Sequence, residues 1–315
     1  MQYIKDLQEG QRVVEYYLCK DRAMFRTKAG KNYLSLTLQD KTGTISAKVW
    51  EINMQIGEFA KGDFIKVDAQ VTSFQSELQL NITRLRRADA GEYNPADYSP
   101  CTEKNMDEMY QQILSYISQV KDRYLRQLLD VFYKNDSELV AKIRIHPAAK
   151  SVHHNFVGGY LEHVTSVAGI AEYLAGKYSP VNRDLVITAA LLHDIGKLWE
   201  LTTMPAWDYS MEGQLLGHIM IGYNKIHEAA GKILGFPAQL LLELEHIILA
   251  HHGELEYGSP KVPMTIEALI IQMEDNKDAK LKMVEEFLKN DQTEGEWTDY
   301  NRFMGRNFYK GTKEE

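Results

Sequence analysis

The chain carries little that would staple it together or anchor it. Its two cysteines, Cys19 and Cys101, stand apart and in no Cys-x-x-Cys spacing. That argues against a disulfide framework and leaves a reduced, cytoplasmic protein as the expectation. Apolar runs are short as well. The longest, near Leu185–Leu192 and Ile266–Met273, are core-helix lengths, well under the roughly 20 residues that span a bilayer. The N-terminus has Lys5, Asp6 and Glu9 where an export signal would have a basic start and an apolar run, so neither secretion nor a membrane partner is expected. Internal repeats and low-complexity tracts are missing too. What remains is a composition 44% hydrophobic over 315 residues, ordinary for a globular protein with room for two cores.

A basic surplus is also lacking overall, at a net charge of −8. Split along the chain, the charge is uneven. Residues 1–90 hold 14 Lys and Arg against 11 Asp and Glu, whereas the remainder holds 22 against 33. The first part suits contact with phosphates, and the acidic second part suits collection of divalent cations.

Residues 10–87 alternate with period two between turn signals, as strands do. In Tyr33-Leu34-Ser35-Leu36-Thr37-Leu38 the leucines take one face. Asp40-Lys41-Thr42-Gly43 supplies a hairpin turn. Ile45, Ala47 and Val49 then point inward, with Ser46, Lys48 and Trp50 outward. Ile65, Val67, Ala69 and Val71 form a third inward set, and Leu78, Leu80 and Ile82 a fourth. With Gln11–Leu18 this makes about five strands in under 90 residues, the dimensions of an OB-fold barrel. Tyr33, Lys48 and Trp50 share the outer face, where aromatic rings beside a lysine suit stacking and phosphate contact with an unpaired strand. Lys28, Lys31 and Phe74 extend that track in loops. The same aromatics would also suit an interdomain contact.

Residues 89–103 contain two prolines and no apolar periodicity, which marks a linker. Thr102 is a plausible N-cap for the helix after it. From there the period is helical, with segments expected at Val120–Tyr133, Ser137–Ile143, Tyr160–Tyr178, Asp184–Ile195, Gln214–Leu234, Pro237–His252 and Thr265 to Lys289. The expected fold class is therefore α+β multidomain: an OB-fold barrel over 1–88, a linker over 89–103, an all-α domain over 104–295 and a tail over 296–315.

Most of the ten histidines fall between His153 and His252. His193-Asp194 closes a nearly apolar helix, and an ionisable pair at the end of a buried helix needs a partner or a metal. Asp194 and Lys197 lie three apart on one face, so Lys197 can meet a phosphate oxygen beside a metal-bound carboxylate. His251-His252 ends another apolar helix, with Gly253 suited to cap it. His163, His218 and Asp275 stand on further helices. By contrast His146, His227 and His246 suit packing or surface roles; His246 is rotated roughly 140° from His251.

In chain order the set is His, His-Asp, His, His-His, Asp, and it resembles the HD superfamily of metal-dependent phosphohydrolases over roughly residues 145–280. The resemblance implies one cation held by His163, His193, Asp194 and Asp275. It implies a second held by His218, His251 and His252, with Asp194 bridging. His251 acting without His252, and Asp278 on the helical face of Asp275, stay open. Such a nitrogen and oxygen set suits manganese, iron, cobalt or zinc.

Three stretches narrow the likeness: Tyr33–Trp50, His153-His154-Asn155-Phe156-Val157-Gly158-Gly159-Tyr160-Leu161-Glu162-His163, and His251–Pro260. They resemble the YhaM-type 3'-to-5' exoribonucleases, which join an OB-fold to an HD domain. This implies manganese-dependent trimming of single-stranded RNA, with single-stranded DNA as a further substrate, by two ions per chain, and His154 contacting the nucleic acid. A rival is an HD phosphohydrolase of mononucleotides or cyclic nucleotides with a regulatory barrel. Its cyclic-dinucleotide form carries Gly-Tyr-Pro after the paired histidines, where this chain has Tyr257-Gly258-Ser259-Pro260. The aromatic tail, Trp297, Tyr300, Phe303, Phe308 and Tyr309, suits docking on the barrel or on another subunit, which leaves a homo-oligomer open.

Overall fold

The computed structural model describes residues 2–27, 30–74, 77–89, 91–94, 97–98, 101–149, 154–202 and 208–311. It divides into two compact units, Met1–Glu103 with Thr202–Asp208, and Lys104–Leu201 with Tyr209–Glu315.

The alternation of the first 90 residues produces a closed barrel. Its strands are β1 (Arg12–Arg26), β2 (Asn32–Asp40), β3 (Gly43–Val49), β4 (Phe64–Phe74) and β5 (Glu77–Arg87), hydrogen-bonded in the order β1-β2-β3-β5-β4. The first strand is longer than the expected Gln11–Leu18. Its first half pairs with β4 and its second half with β2, and the register slips between Cys19 and Asp21. Such a bulge lets one strand bend from one neighbour to the next. Parallel pairing of β3 with β5, from Ser46 opposite Gln79 to Lys48 opposite Asn81, closes the ring. Inside sit Val13, Tyr17, Leu34, Leu36, Leu38, Ile45, Ala47, Val49, Ile65, Val67, Ala69, Val71, Leu80 and Ile82, each of the larger ones worth about 1.5–3 kcal/mol of burial. The hairpin turn is fixed by buried Asp40, which accepts from the Thr42 amide and hydroxyl and from the Ile4 amide.

Residues 89–103, expected as a linker, include anchors on the barrel. Tyr93 stacks on Phe64 at a ring separation of 3.9 Å, and Tyr98 meets the same ring edge-on at 4.9 Å. Asp97 accepts from Lys41 and from the Tyr3 hydroxyl, each at 3.0 Å. Proline and polar residues break any periodicity here, so single aromatic anchors leave no repeating signal.

The second unit is helical: α1 (Met106–Gln119), α2 (Arg123–Tyr133), α3 (Ser137–Ile145), α4 (Gly159–Ala175), α5 (Arg183–Leu192), α6 (Lys197–Glu200), α7 (Met211–Gly231), α8 (Ala238–Ala250) and α9 (Ile266–Asn290). Asn105, not Thr102, caps α1, accepting from the Asp107 and Glu108 amides, because an Asx side chain reaches the second and third amides from the cap position. Asp122, Asp136, Asn182, Ser210 and Thr265 cap α2, α3, α5, α7 and α9 in the same way. Every residue of α5 from Leu185 to Leu192 is buried, so this helix forms the axis of the unit, packed by α4, α8 and α9. The α7 segment breaks at Gly217, whose φ of 71° and ψ of 158° lie outside helical space. No helix among the described residues is long and apolar enough to cross a membrane.

The aromatic anchors yield a stability test. Tyr98→Ala is expected to cost the barrel about 3 kcal/mol, read from its urea unfolding midpoint; a loss under about 0.5 kcal/mol would mean that residues 89–103 are only a tether.

Candidate metal centre and nucleic-acid face

The buried α5 delivers its last residues into the middle of the helical unit. His193 is its C-cap, and Asp194 follows in the tight turn into α6. A Cβ on Gly196 would lie 2.0 Å from the His218 carbonyl oxygen and 2.6 Å from the Gly222 amide nitrogen. Only glycine lets that turn touch α7, and the positive φ of Gly217 then turns His218 toward Asp194.

Seven expected ligands meet here in two groups. In the first, donor atoms of His163, His193, Asp194 and Asp275 lie within 4.8 Å of one another; in the second, those of His218, His251 and His252 do. Asp194 faces both. Its Oδ2 is 3.3 Å from His163 Nε2 and 3.5 Å from His193 Nε2, while its Oδ1 is 3.5 Å from His218 Nε2 and 3.6 Å from His251 Nε2. Asp275 Oδ1 closes the first group at 3.2 Å from His163 Nε2.

Four imidazoles are oriented by the same device. His193 Nδ1 donates to the Ala190 carbonyl at 2.9 Å and His251 Nδ1 to that of Ile248 at 2.7 Å. His218 Nδ1 donates to Glu200 at 3.1 Å, and His163 Nδ1 to Asp278 at 2.7 Å. Each acceptor fixes the proton on Nδ1 and turns Nε2 inward, the usual support of a metal-bound histidine. Asp194 Oδ1, His218 Nε2 and His251 Nε2 are buried without a hydrogen-bond partner. One such atom costs about 1–3 kcal/mol, so three aimed at one point fit a cation with borderline nitrogen and oxygen preference.

Electrostatics agree with this donor set. Burial opposes charge on Asp194 and Asp275, yet Lys197 and the imidazoles around Asp194, and His163 and His193 beside Asp275, outweigh it and hold both carboxyls well below their usual range. Burial also opposes charge on His163, but hydrogen bonds to Asp194, Asp275 and Asp278 keep its imidazole protonated well above the ordinary histidine value. Lys197 sits 2.5 Å from Asp194 Oδ2 and, although burial disfavours its charge, Asp194 and Asp275 raise its pKa. A proton on His163 and the Lys197 ammonium thus balance the carboxylates when no cation does.

Two supporting residues escaped the sequence reading or stayed open in it. Glu200 accepts from both the Nδ1 and the backbone amide of His218. Asp278 sits one helical turn beyond Asp275 and serves His163, His154 and Ser166. His154, expected to contact the nucleic acid, is 1% exposed, in the left-handed region at φ 55°, and directs Nε2 to Asp278 at 3.0 Å, where it steadies the carboxylate behind His163. His246 accepts from the Met264 amide and His227 bonds to Glu245, so neither joins the centre.

On the barrel, Tyr33 stacks on Trp50 at 4.7 Å and on Phe25 at 5.8 Å. Lys48 Nζ lies 5.8 Å from the Tyr33 ring and bonds to Ser35, and Trp50 Nε1 donates to Asn81. Trp50 follows the last residue of β3 and does not lie within it. Three half-exposed rings and one lysine therefore form a ladder, flanked by Ser46 and Gln79. Phe25 is the member the sequence reading missed. Lys31 and Phe74 are exposed, but no contact joins them to this ladder; Lys28 lies outside the described residues.

Known proteins divide the chain in the same manner. Residues 20–88 match an OB-fold nucleic acid binding domain and residues 160–280 match an HD domain, so the chain is an HD-domain protein with an OB-fold. A 3'-5' exoribonuclease YhaM from Geobacillus sp. is 34% identical over 304 residues, 96% of this chain and 92% of that protein. The YhaM of Halalkalibacterium halodurans is 34% identical over 306 residues, covering 96% and 94%. The chain belongs to the YhaM family of 3'-5' exoribonucleases.

The His163 proton gives a pH test of the centre. A cation must displace it, so below the raised His163 pKa the apparent metal affinity is expected to climb with pH, by about one log unit per pH unit for one displaced proton. At pH 7 binding should release a proton, measured by calorimetry in buffers of different ionisation heat. Metal uptake without proton release would contradict the charge balance described.

Proposed function

We propose that the protein is a metal-dependent 3'-to-5' exoribonuclease of single-stranded RNA, acting also on single-stranded DNA, with two cations per chain, manganese the favoured ion. The observation that carries this reading is the pair of donor groups sharing the two oxygens of Asp194, in a chain similar to YhaM exoribonucleases over nearly its whole length. His163, His193, Asp194 and Asp275 would hold one ion, and Asp194, His218, His251 and His252 the other. When bound, such a pair supplies Lewis acidity toward water and toward the phosphate oxygens.

The chain's own groups do the rest. Glu200 and Asp278 hold His218 and His163 in register. Lys197, beside Asp194, would offer its ammonium to a phosphate oxygen, where charge grows as the bond breaks. The Phe25-Tyr33-Trp50 ladder with Lys48 suits successive unpaired bases and their backbone. Cys19 and Cys101 form no disulfide with each other, in keeping with a reducing cytoplasm.

Purified protein with manganese and 5'-labelled RNA should shorten strands with a free 3' hydroxyl by single nucleotides and spare 3'-blocked strands. His193→Ala and Asp194→Ala should each abolish this; activity at the wild-type rate in either variant would remove the metal-centre reading. Indifference to the 3' end together with turnover of cyclic or mononucleotides would favour the phosphohydrolase alternative.

Trp50→Ala is expected to raise KM for a long RNA by about tenfold, the scale of one lost base stack, while leaving a dinucleotide unaffected. Equal effects on both substrates would detach the barrel face from binding.

A further inference from the structure

The C-terminal segment folds as a small hairpin beyond α9. Trp297 bridges Tyr309 and Asn301 bridges Arg306. The turn is closed by the Gly305 amide donating to the Asn301 carbonyl at 2.8 Å and the Met304 amide to Asn301 Oδ1 at 2.9 Å. Its root is polar: Lys310 pairs with Asp291 and donates to Thr293, and buried Thr298 receives the Phe308 amide. Of its aromatics only Phe308 turns back, onto Phe287 of α9.

The hairpin is thus held by hydrogen bonds, one ion pair and the contact of Trp297 with Tyr309 across its two arms at 5.3 Å, which leaves Tyr300 and Phe303 at the tip without a ring partner among the described residues. Trp297, Tyr300, Phe303 and Tyr309 are each between 47% and 71% exposed. Single exposed rings need no explanation, but four within thirteen residues are a patch. Charge at the tip bears on the partner: residues 300–309 hold Arg302 and Arg306 and no Asp or Glu, whereas Glu294, Glu296 and Asp299 lie on the first arm and Lys310 is paired with Asp291 at the root. Arg302 and Arg306 are exposed, and neither has an acidic partner among the described residues. Flat rings alternating with unpaired guanidinium groups match bases alternating with phosphates.

We infer that this hairpin is a second contact site for single-stranded nucleic acid, separate from the barrel ladder. Only the substrate class is taken from the exoribonuclease reading, and binding is scored apart from hydrolysis.

The test uses the full chain and a 5'-fluorescein single-stranded RNA with hydrolysis-resistant phosphorothioate linkages, followed by anisotropy. Trp297→Ala/Phe303→Ala should weaken binding by about fivefold or more. Arg302→Ala/Arg306→Ala, which touches no ring, should weaken it and lower the log-log salt slope by about 1.4, the value for two phosphate contacts on a single strand. Dinucleotide hydrolysis should be unchanged in both. Unaltered affinity and salt slope in both variants overturn the inference. So does a ring variant that turns a dimer into monomers with RNA affinity intact, since the patch would then be a self-association face. If no protein hydrolyses RNA but the affinity losses stand, the hairpin site survives and the exoribonuclease reading falls.

Discussion

One carboxylate organises the helical unit. Asp194 is fully enclosed, each of its oxygens faces a different set of imidazoles, and Lys197 compensates what those sets do not. A buried anion is tolerable only when every neighbour is arranged around it, and much of the surrounding architecture does this. The all-apolar α5 fixes where the anion stands, Gly196 admits α7 to van der Waals contact, and the break at Gly217 aims His218. The charges just outside are also balanced. Glu162, next to His163 in sequence and buried, is matched by Lys104 at 3.2 Å and Lys282 at 3.0 Å, so its charge is met locally.

The two units solve opposite problems. The helical one gathers excess acid and histidine inside, where low dielectric magnifies each pairing. The barrel keeps its interior free of such groups apart from Asp40, which is satisfied by three turn donors, and shows its polar and aromatic groups outside. The buried polar centre and the outer aromatic ladder are thus each built from the residue types that their own half of the sequence has in excess.

How much of this was legible follows from cost and from period. Histidine and aspartate at the ends of apolar helices are expensive, and for that reason His193-Asp194 and His251-His252 stood out without coordinates, while His163, His218 and Asp275 joined them through the resemblance to the HD superfamily. Their supports did not. Glu200 and Asp278 are ordinary acids on helices, and what singles them out is contact with His218 and His163 across the fold, which no spacing encodes. The contact of His154 with Asp278 is of the same kind, joining residues 124 apart in the chain. Strand alternation found the barrel core, but the aromatic anchors Tyr93 and Tyr98 lie where no period exists to follow.

Phe25 was hidden by parity, and its case reaches further. Val13, Tyr17 and Cys19 point inward, so an unbroken β1 would send odd-numbered Phe25 inward too; the extra residue at Lys20 reverses the sides, and Phe25 lies opposite Tyr33 on the outer sheet face. The sidedness of the platform is therefore stored in strand length and not in the identity of any ring. Gaining or losing one residue at that kink would trade an outward ring for an interior one while leaving every histidine and aspartate of the helical centre in place, so evolution can reshape the outer face of the barrel independently of the buried centre.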